Sequence, residues 1–149
     1  MKVSDCCSQI VVVAPASAGI QKAAQLMREN HVGNVVVVDE SRGAARPVGI
    51  VTDRDLVVEI LASGAPVDEL TLGDIMSAEL LVASEDEDIG ETLNRMRSAG
   101  VRRAPVVDAE GRLVGILTLD DLLSITAQTL NSMAQLVRRE IATEAGTRQ

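Results

Sequence analysis

No Phe, Trp or Tyr occurs among the 149 residues. The core must therefore be assembled from Val, Ile, Leu, Met and Ala, and no bound ligand can stack on a Phe, Trp or Tyr ring. Histidine occurs once, as His31, with no nucleophile or second base beside it, which argues against acid–base catalysis. There is no Ser/Cys–His pairing, no run of metal-ligand spacing and no Walker-type phosphate loop, so the expectation is a non-enzyme without a metal or a cofactor. Basic residues are few, 14 against 22 acidic, and the net charge of −8 opposes a phosphate-backbone footprint. Nucleic acid is excluded as a partner on that ground. Long apolar runs are also missing. The stretch from Ile10 to Ala14 is too short for a signal sequence or a membrane span, and the expected setting is the cytoplasm, away from membranes.

What the chain does contain, it contains twice. With a shift of 69 positions, Asp5 falls on Asp74, Ser8 on Ser77, Ile20 on Ile89, Met27 and Arg28 on Met96 and Arg97, and Val37-Val38-Asp39 on Val106-Val107-Asp108. Three extra residues in the loop around Ser41 to Ala45 reduce the shift to 66, and Val48-Gly49-Ile50, Thr52 and Asp55-Leu56 then meet Val114-Gly115-Ile116, Thr118 and Asp121-Leu122. An insertion of this kind is tolerated in a turn. One duplication implies a pseudo-two-fold pair, not an open solenoid. The expected division is a first repeat over 1–66, a second over 67–126, and a helical extension with a tail over 127–149. The adjacent cysteines Cys6 and Cys7 face Ile75 and Met76 in the second copy, and so read as small buried hydrophobes.

Each copy has the same order of elements. A short β-branched run, Ile10 to Val13 ended by Pro15, matches Leu80 to Val82 and predicts a strand. Ile20, Ala23, Ala24 and Met27, like Ile89, Leu93 and Met96, fall at helical spacing. The acidic run Glu85 to Asp88 suits the positive start of the second helix and is not read as a metal site. Gly100 ends that helix in left-handed conformation, and His31 holds the same place in the first copy. Two strands joined by a turn at Gly43 or Gly111 follow, Val35 to Val38 with Val48 to Val51, and Pro105 to Val107 with Leu113 to Leu117. A helix closes each copy, over Leu56 to Leu61 and from Leu119 towards Ile141. The fold class is α/β, built from two pseudo-symmetric β-α-β-β-α repeats. The apolar residues Leu130, Met133, Leu136, Val137 and Ile141 lie on a helix that outruns its own repeat, and a second subunit is the simplest cover for them.

Both copies end their last strand as Gly, two apolar residues, Thr, two variable residues, Asp: Gly49 to Asp55 and Gly115 to Asp121. Such a strand delivers a hydroxyl and a carboxylate to a helix start, where free amides accept phosphate and an Asp can bind two ribose hydroxyls. Thr-x-x-Asp is also close to the spacing of a capping box, in which the same side chains satisfy their own main chain. Both readings stand at this level.

The twin repeats, Asp-Ile-Met-Ser at Asp74 to Ser77, Pro-Val-Val-Asp at Pro105 to Asp108 and the paired Gly-h-h-Thr-x-x-Asp endings together resemble a tandem cystathionine β-synthase (CBS) domain pair, or Bateman module, in a small stand-alone form. The resemblance covers Val3 to about Ile125. It implies repeats packed through their sheets, with clefts for AMP, ADP, ATP or S-adenosylmethionine as a regulatory ligand. Asp55 and Asp121 would hold ribose hydroxyls, with Thr52 and Thr118 on ribose or phosphate. Adenine would lie between aliphatic side chains near Val12 and Val35, or near Val82 and Ala104. Phosphate would meet Arg54, Arg102 and Arg103, whereas Asp120 in the place of Arg54 repels it. The two clefts are accordingly expected to be unequal. The implied role is an adenine-nucleotide sensor that signals through homodimer geometry to an effector protein whose identity the sequence does not give. The alternative is a ligand-independent dimerisation or scaffold module.

Overall fold

The computed structural model describes residues 1–77 and 79–147. Two three-stranded sheets carry the fold, each with its strands in chain order. In the first, β1 (Val13–Pro15) lies parallel to β2 (Asn34–Asp39), and β2 pairs antiparallel with β3 (Arg46–Thr52). Helix α1 (Ile20–Asn30) connects the parallel pair and buries Ile20, Ala23 and Met27, the apolar face expected from their spacing. After β3 come a short turn of helix, α2 (Asp53–Asp55), and a π-helical stretch at Leu56–Leu61 with i→i−5 bonds such as Ala62 N to Val57 O, 2.8 Å. The short α3 (Leu72–Ile75) leads into the second copy. There β4 (Ala83–Ser84), α4 (Ile89–Ala99), β5 (Arg103–Val107) and β6 (Leu113–Thr118) repeat the arrangement, and α5 (Leu119–Thr147) closes the chain.

Helix ends follow the sequence closely. His31 and Gly100 both adopt the left-handed conformation, φ 53° and 67°, as the residues that stop α1 and α4. Their amides return to Met27 O and to Met96 and Arg97 O. His31 thus acts through its main chain at a helix end.

The first strand of each copy lies later than the β-branched run suggested. β1 begins at Val13 and includes Pro15, and β4 begins at Ala83. Both are edge strands, where proline is tolerated because no ladder donor is required of it. Ile10 is 85% exposed, and the main chain of Val12 joins the pairing through its carbonyl, which accepts from Val36 N at 2.9 Å.

The copies exchange their leading segments. Val3 N and Ser4 N donate to Glu87 O and Glu85 O of the second copy, while Leu72 N and Gly73 N donate to Ala18 O and Ala16 O of the first. Ser8 pairs with Ile116 through both main-chain bonds, and Ser77 N reaches Ile50 O. Val3 and Cys6 consequently lie in the core built around β5 and β6, and Leu72 in the core built around β2 and β3. Cys6 is buried and burial pushes its thiol upward, in keeping with a small apolar filler. A third cluster, Val36, Val38 and Ile116 with Val11, Ile50 and Leu113, joins the two sheets.

This exchange explains the glycine in each strand ending. A Cβ on Gly115 would stand 2.8 Å from Ser8 O and 3.0 Å from Cys7 Sγ, and one on Gly49 would collide with the side chain of Met76. Both glycines are demanded by space, because the other copy's leader crosses them.

Candidate functional site: two clefts between the repeats

The first strand ending forms a capping box, and the second forms half of one. Asp55 N donates to Thr52 Oγ1 at 3.2 Å, and Thr52 N donates to Asp55 Oδ2 at 2.8 Å. In the second copy Asp121 N donates to Thr118 Oγ1 at 3.1 Å, and the Thr118 hydroxyl donates to Asp121 Oδ2 at 2.5 Å. The capping reading is therefore realised in full at the first corner and in half at the second, where the carboxylate meets the Thr118 hydroxyl instead of the Thr118 amide. It engages one carboxylate oxygen of each Asp and leaves Oδ1 without a protein donor among the described residues. The corners differ in one proton. Thr118 directs its hydroxyl hydrogen to its own Asp, whereas Thr52 accepts only and keeps a hydrogen to donate.

A cavity lies beside each corner. The one at Thr118 and Asp121, of about 280 Å³, is closed by Ser8, Ile10 to Val12 and Val32 to Asn34 from the first copy. The one at Thr52 and Asp55, of about 620 Å³, is closed by Ser77 and by Gly100 to Arg103 from the second copy. A separate hollow over Glu79 to Leu81 shares Val101 with it. Each cleft therefore joins the Thr/Asp corner of one copy to the segment before β1 or β4, and the start of β2 or β5, of the other. Ligand pockets commonly measure about 300–1,000 Å³, so the larger cleft sits inside that range and the smaller at its lower edge.

Cations are unevenly shared. Arg54, Arg102 and Arg103 all line the larger cleft, together with Asp53, Asp55 and Asp120. Arg103 alone lines the smaller one, facing Asp120 and Asp121. Arg103 and Asp120 border both cavities and mark where they meet. At that junction a Cβ on Gly33 would lie 3.1 Å from Asp53 Oδ2 and 3.3 Å from Arg103 Nη2. Arg102 Nη2 approaches Asp120 Oδ1 at 3.4 Å with both side chains about 70% exposed, a pair weak enough to yield to a bound anion.

Of the residues singled out in the sequence, Thr52, Arg54, Asp55, Arg102 and Arg103 come together at the larger cleft, and Thr118, Asp121 and Val12 with Arg103 at the smaller. Three lie elsewhere. Val35 and Ala104 are fully buried in the two cores, and Val82 lines a separate cavity on the far edge of the sheets. Ser8, Ile10, Ser77 and Asp53 line the clefts without having been singled out. The shared serine at the end of each leader, Ser8 and Ser77, was the available signal for two of them.

Residues 3–62 and 72–127 each match the family model of the CBS domain. Over 116 residues the chain is 36% identical to the uncharacterized protein MK0525 of Methanopyrus kandleri, a match that takes in 78% of this chain and 57% of that protein. Among solved structures, the CBS domain pair of protein MJ0100 in complex with 5′-methylthioadenosine and S-adenosyl-L-methionine superposes with a TM-score of 0.74 at 27% identity, covering 87% of this chain and 98% of that one. The CBS domain protein PAE2072 of Pyrobaculum aerophilum, complexed with AMP, gives a TM-score of 0.74 at 25% identity over 82% of this chain and 90% of that one.

Proposed function

This chain belongs to the CBS-domain family, and from that premise we propose that it is a regulatory module of the cytoplasm, without catalytic activity, that binds an adenine nucleotide such as AMP in the larger cleft. The observation that carries this reading is the meeting of Thr52 and Asp55 with Arg54, Arg102 and Arg103 around one cavity. Asp55 Oδ1 accepts from the ribose, the Thr52 hydroxyl donates to ribose or phosphate, and the arginines neutralise the phosphate from both copies. Complexes of related CBS pairs with AMP, S-adenosylmethionine and 5′-methylthioadenosine support an adenosine ligand. The smaller cleft, with one arginine against two carboxylates, disfavours a phosphate and stays empty of AMP or takes an uncharged or cationic adenosine compound. Binding pulls the repeats into one arrangement, and the change passes to an effector protein through a homodimer joined along α5.

The chain absorbs almost nothing near 260 nm, since it has no Phe, Trp or Tyr. Equilibrium dialysis against AMP therefore reads bound nucleotide directly as excess absorbance on the protein side. One equivalent or fewer per chain is expected, and no excess at all contradicts the proposal.

The second reading, a scaffold that binds nothing, draws on the completed capping box at Thr52 and Asp55 and the partial one at Thr118 and Asp121. It is separated from the first by a substitution that keeps the cap and moves the carboxylate.

A further inference from the structure

On the edge of the sheets away from both clefts, the duplicated turn between the last two strands of each copy breaks its symmetry. In the second copy Asp108 accepts from Arg112 Nε at 2.6 Å, and Glu110 accepts from Arg112 Nη2 at 2.9 Å, so that guanidinium is held at both of these nitrogens by carboxylates. Arg46 holds the matching place in the first copy, opposite Asp39 across the ladder. Its pairing does not form. Ser41, standing where the second copy has Glu110, donates its amide to Asp39 Oδ1 at 2.9 Å and its hydroxyl to Asp39 Oδ2 at 3.0 Å. That second oxygen is the counterpart of the one that holds Arg112. Arg46 Nε is left as a buried donor with no hydrogen-bond partner, the single such side-chain atom found among the described residues. A buried orphan donor is costly and points to a missing acceptor.

The Arg46 guanidinium instead crosses to the other copy and lies over Gly111, where a Cβ would stand 2.6 Å from Nη1. It borders a cavity of about 400 Å³ shared with Arg42 and walled by Pro47, Val48, Val82 and Val107. None of these residues lines either of the clefts described above. Two guanidinium groups against the one carboxylate of Asp39 leave a net positive lining. A planar, forked donor set suits an oxyanion, and the valine and proline walls suit a short aliphatic body.

We propose that this cavity is a binding site for a small organic oxyanion, held by Arg46 and Arg42 with its apolar part against Val82 and Val107. Because Arg46 reaches from one repeat onto the turn of the other, occupancy ties the two together at the edge opposite the clefts. The proposal does not depend on nucleotide binding.

The test is titration of the full chain with isobutyrate and, separately, with inorganic phosphate, at matched ionic strength in chloride, following the Arg46 Nε–H and Gly111 amide resonances. Saturable shifts of both signals are expected. Stronger saturation by isobutyrate assigns the carboxylate class, and stronger saturation by phosphate assigns the phosphoryl class. In Ser41→Ala, Asp39 Oδ2 becomes available to Arg46 Nε, as Asp108 is to Arg112, and the anion should bind at least about tenfold more weakly while the amide spectrum elsewhere is kept. Arg46→Gln should lose the Gly111 shift. Absence of saturable shifts with either anion, or undiminished binding in Ser41→Ala, would overturn the site.

Discussion

A hydroxyl, a carboxylate and a glycine within seven positions make both the joint between the repeats and the corner of each cleft. Gly115 and Gly49 are both kept small by the crossing leader segments. A new Cβ at Gly115 would meet a main-chain oxygen, Ser8 O, at 2.8 Å, and one at Gly49 would meet Met76 Cγ and Cβ at 2.8 and 2.9 Å, the latter fixed to the main chain. Gly115→Ala and Gly49→Ala should therefore each destabilise by about 1–3 kcal/mol, as overpacking does. Chemical denaturation of the two variants checks this, and undiminished stability in either would contradict the leader-crossing explanation. The chemistry of the corners was legible from residue types, since Thr and Asp at this spacing permit capping and sugar binding together. The structure shows that capping uses one carboxylate oxygen and leaves the other.

At the scale of elements, the periodic helices and the antiparallel strand pairs were readable because their apolar spacing is their reason for being. β1 and β4 were displaced from the Ile10–Val13 and Leu80–Val82 runs because an edge strand is set by where its partner lies, not by β-branched content alone. Ile10 to Val12 line the smaller cleft instead, and Leu80 and Leu81 line a hollow that shares Val101 with the larger one. The long helix carries its own prediction. α5 has 29 residues, about 44 Å of helix, and Leu123, Leu130 and Val137 stand exposed at intervals of seven, the repeat of a helix-pairing seam. Asp120 and Asp121 begin this helix and Arg138 and Arg139 lie near its end, so two copies paired antiparallel about Leu130 would set opposite charges against each other. Leu130→Glu should convert a dimer to a monomer in sedimentation velocity. A wild-type chain that sediments as a monomer, or a variant that stays dimeric, would contradict the pairing.

For the whole molecule, duplication made the two-fold architecture visible, but it could not show which copy a given segment packs against. Residues 2–8 and 71–77 are equivalent in sequence and exchanged in space, and the exchange decides that each cleft draws on both repeats. Arg102 and Arg103, at the start of β5, meet Arg54 of the first repeat there, while Val35 and Ala104, the second residues of β2 and β5, are buried in the two cores. The asymmetry of charge follows from a few divergent positions. Arg54 against Asp120, and Arg102-Arg103 against Gly33-Asn34, concentrate the cations in the larger cleft.

The central claim is that the Asp55 carboxylate binds a nucleotide sugar in addition to capping its helix. Calorimetric titration of AMP into the native chain and into Asp55→Glu tests it most directly. Glutamate keeps the capping box but carries the carboxylate one methylene further. An unchanged melting temperature with affinity lower by about tenfold or more is the expected result, matching the loss of a charge-assisted hydrogen bond of about 1.5–3 kcal/mol. Equal AMP affinity in the two proteins, or no binding heat in the native one, would contradict it.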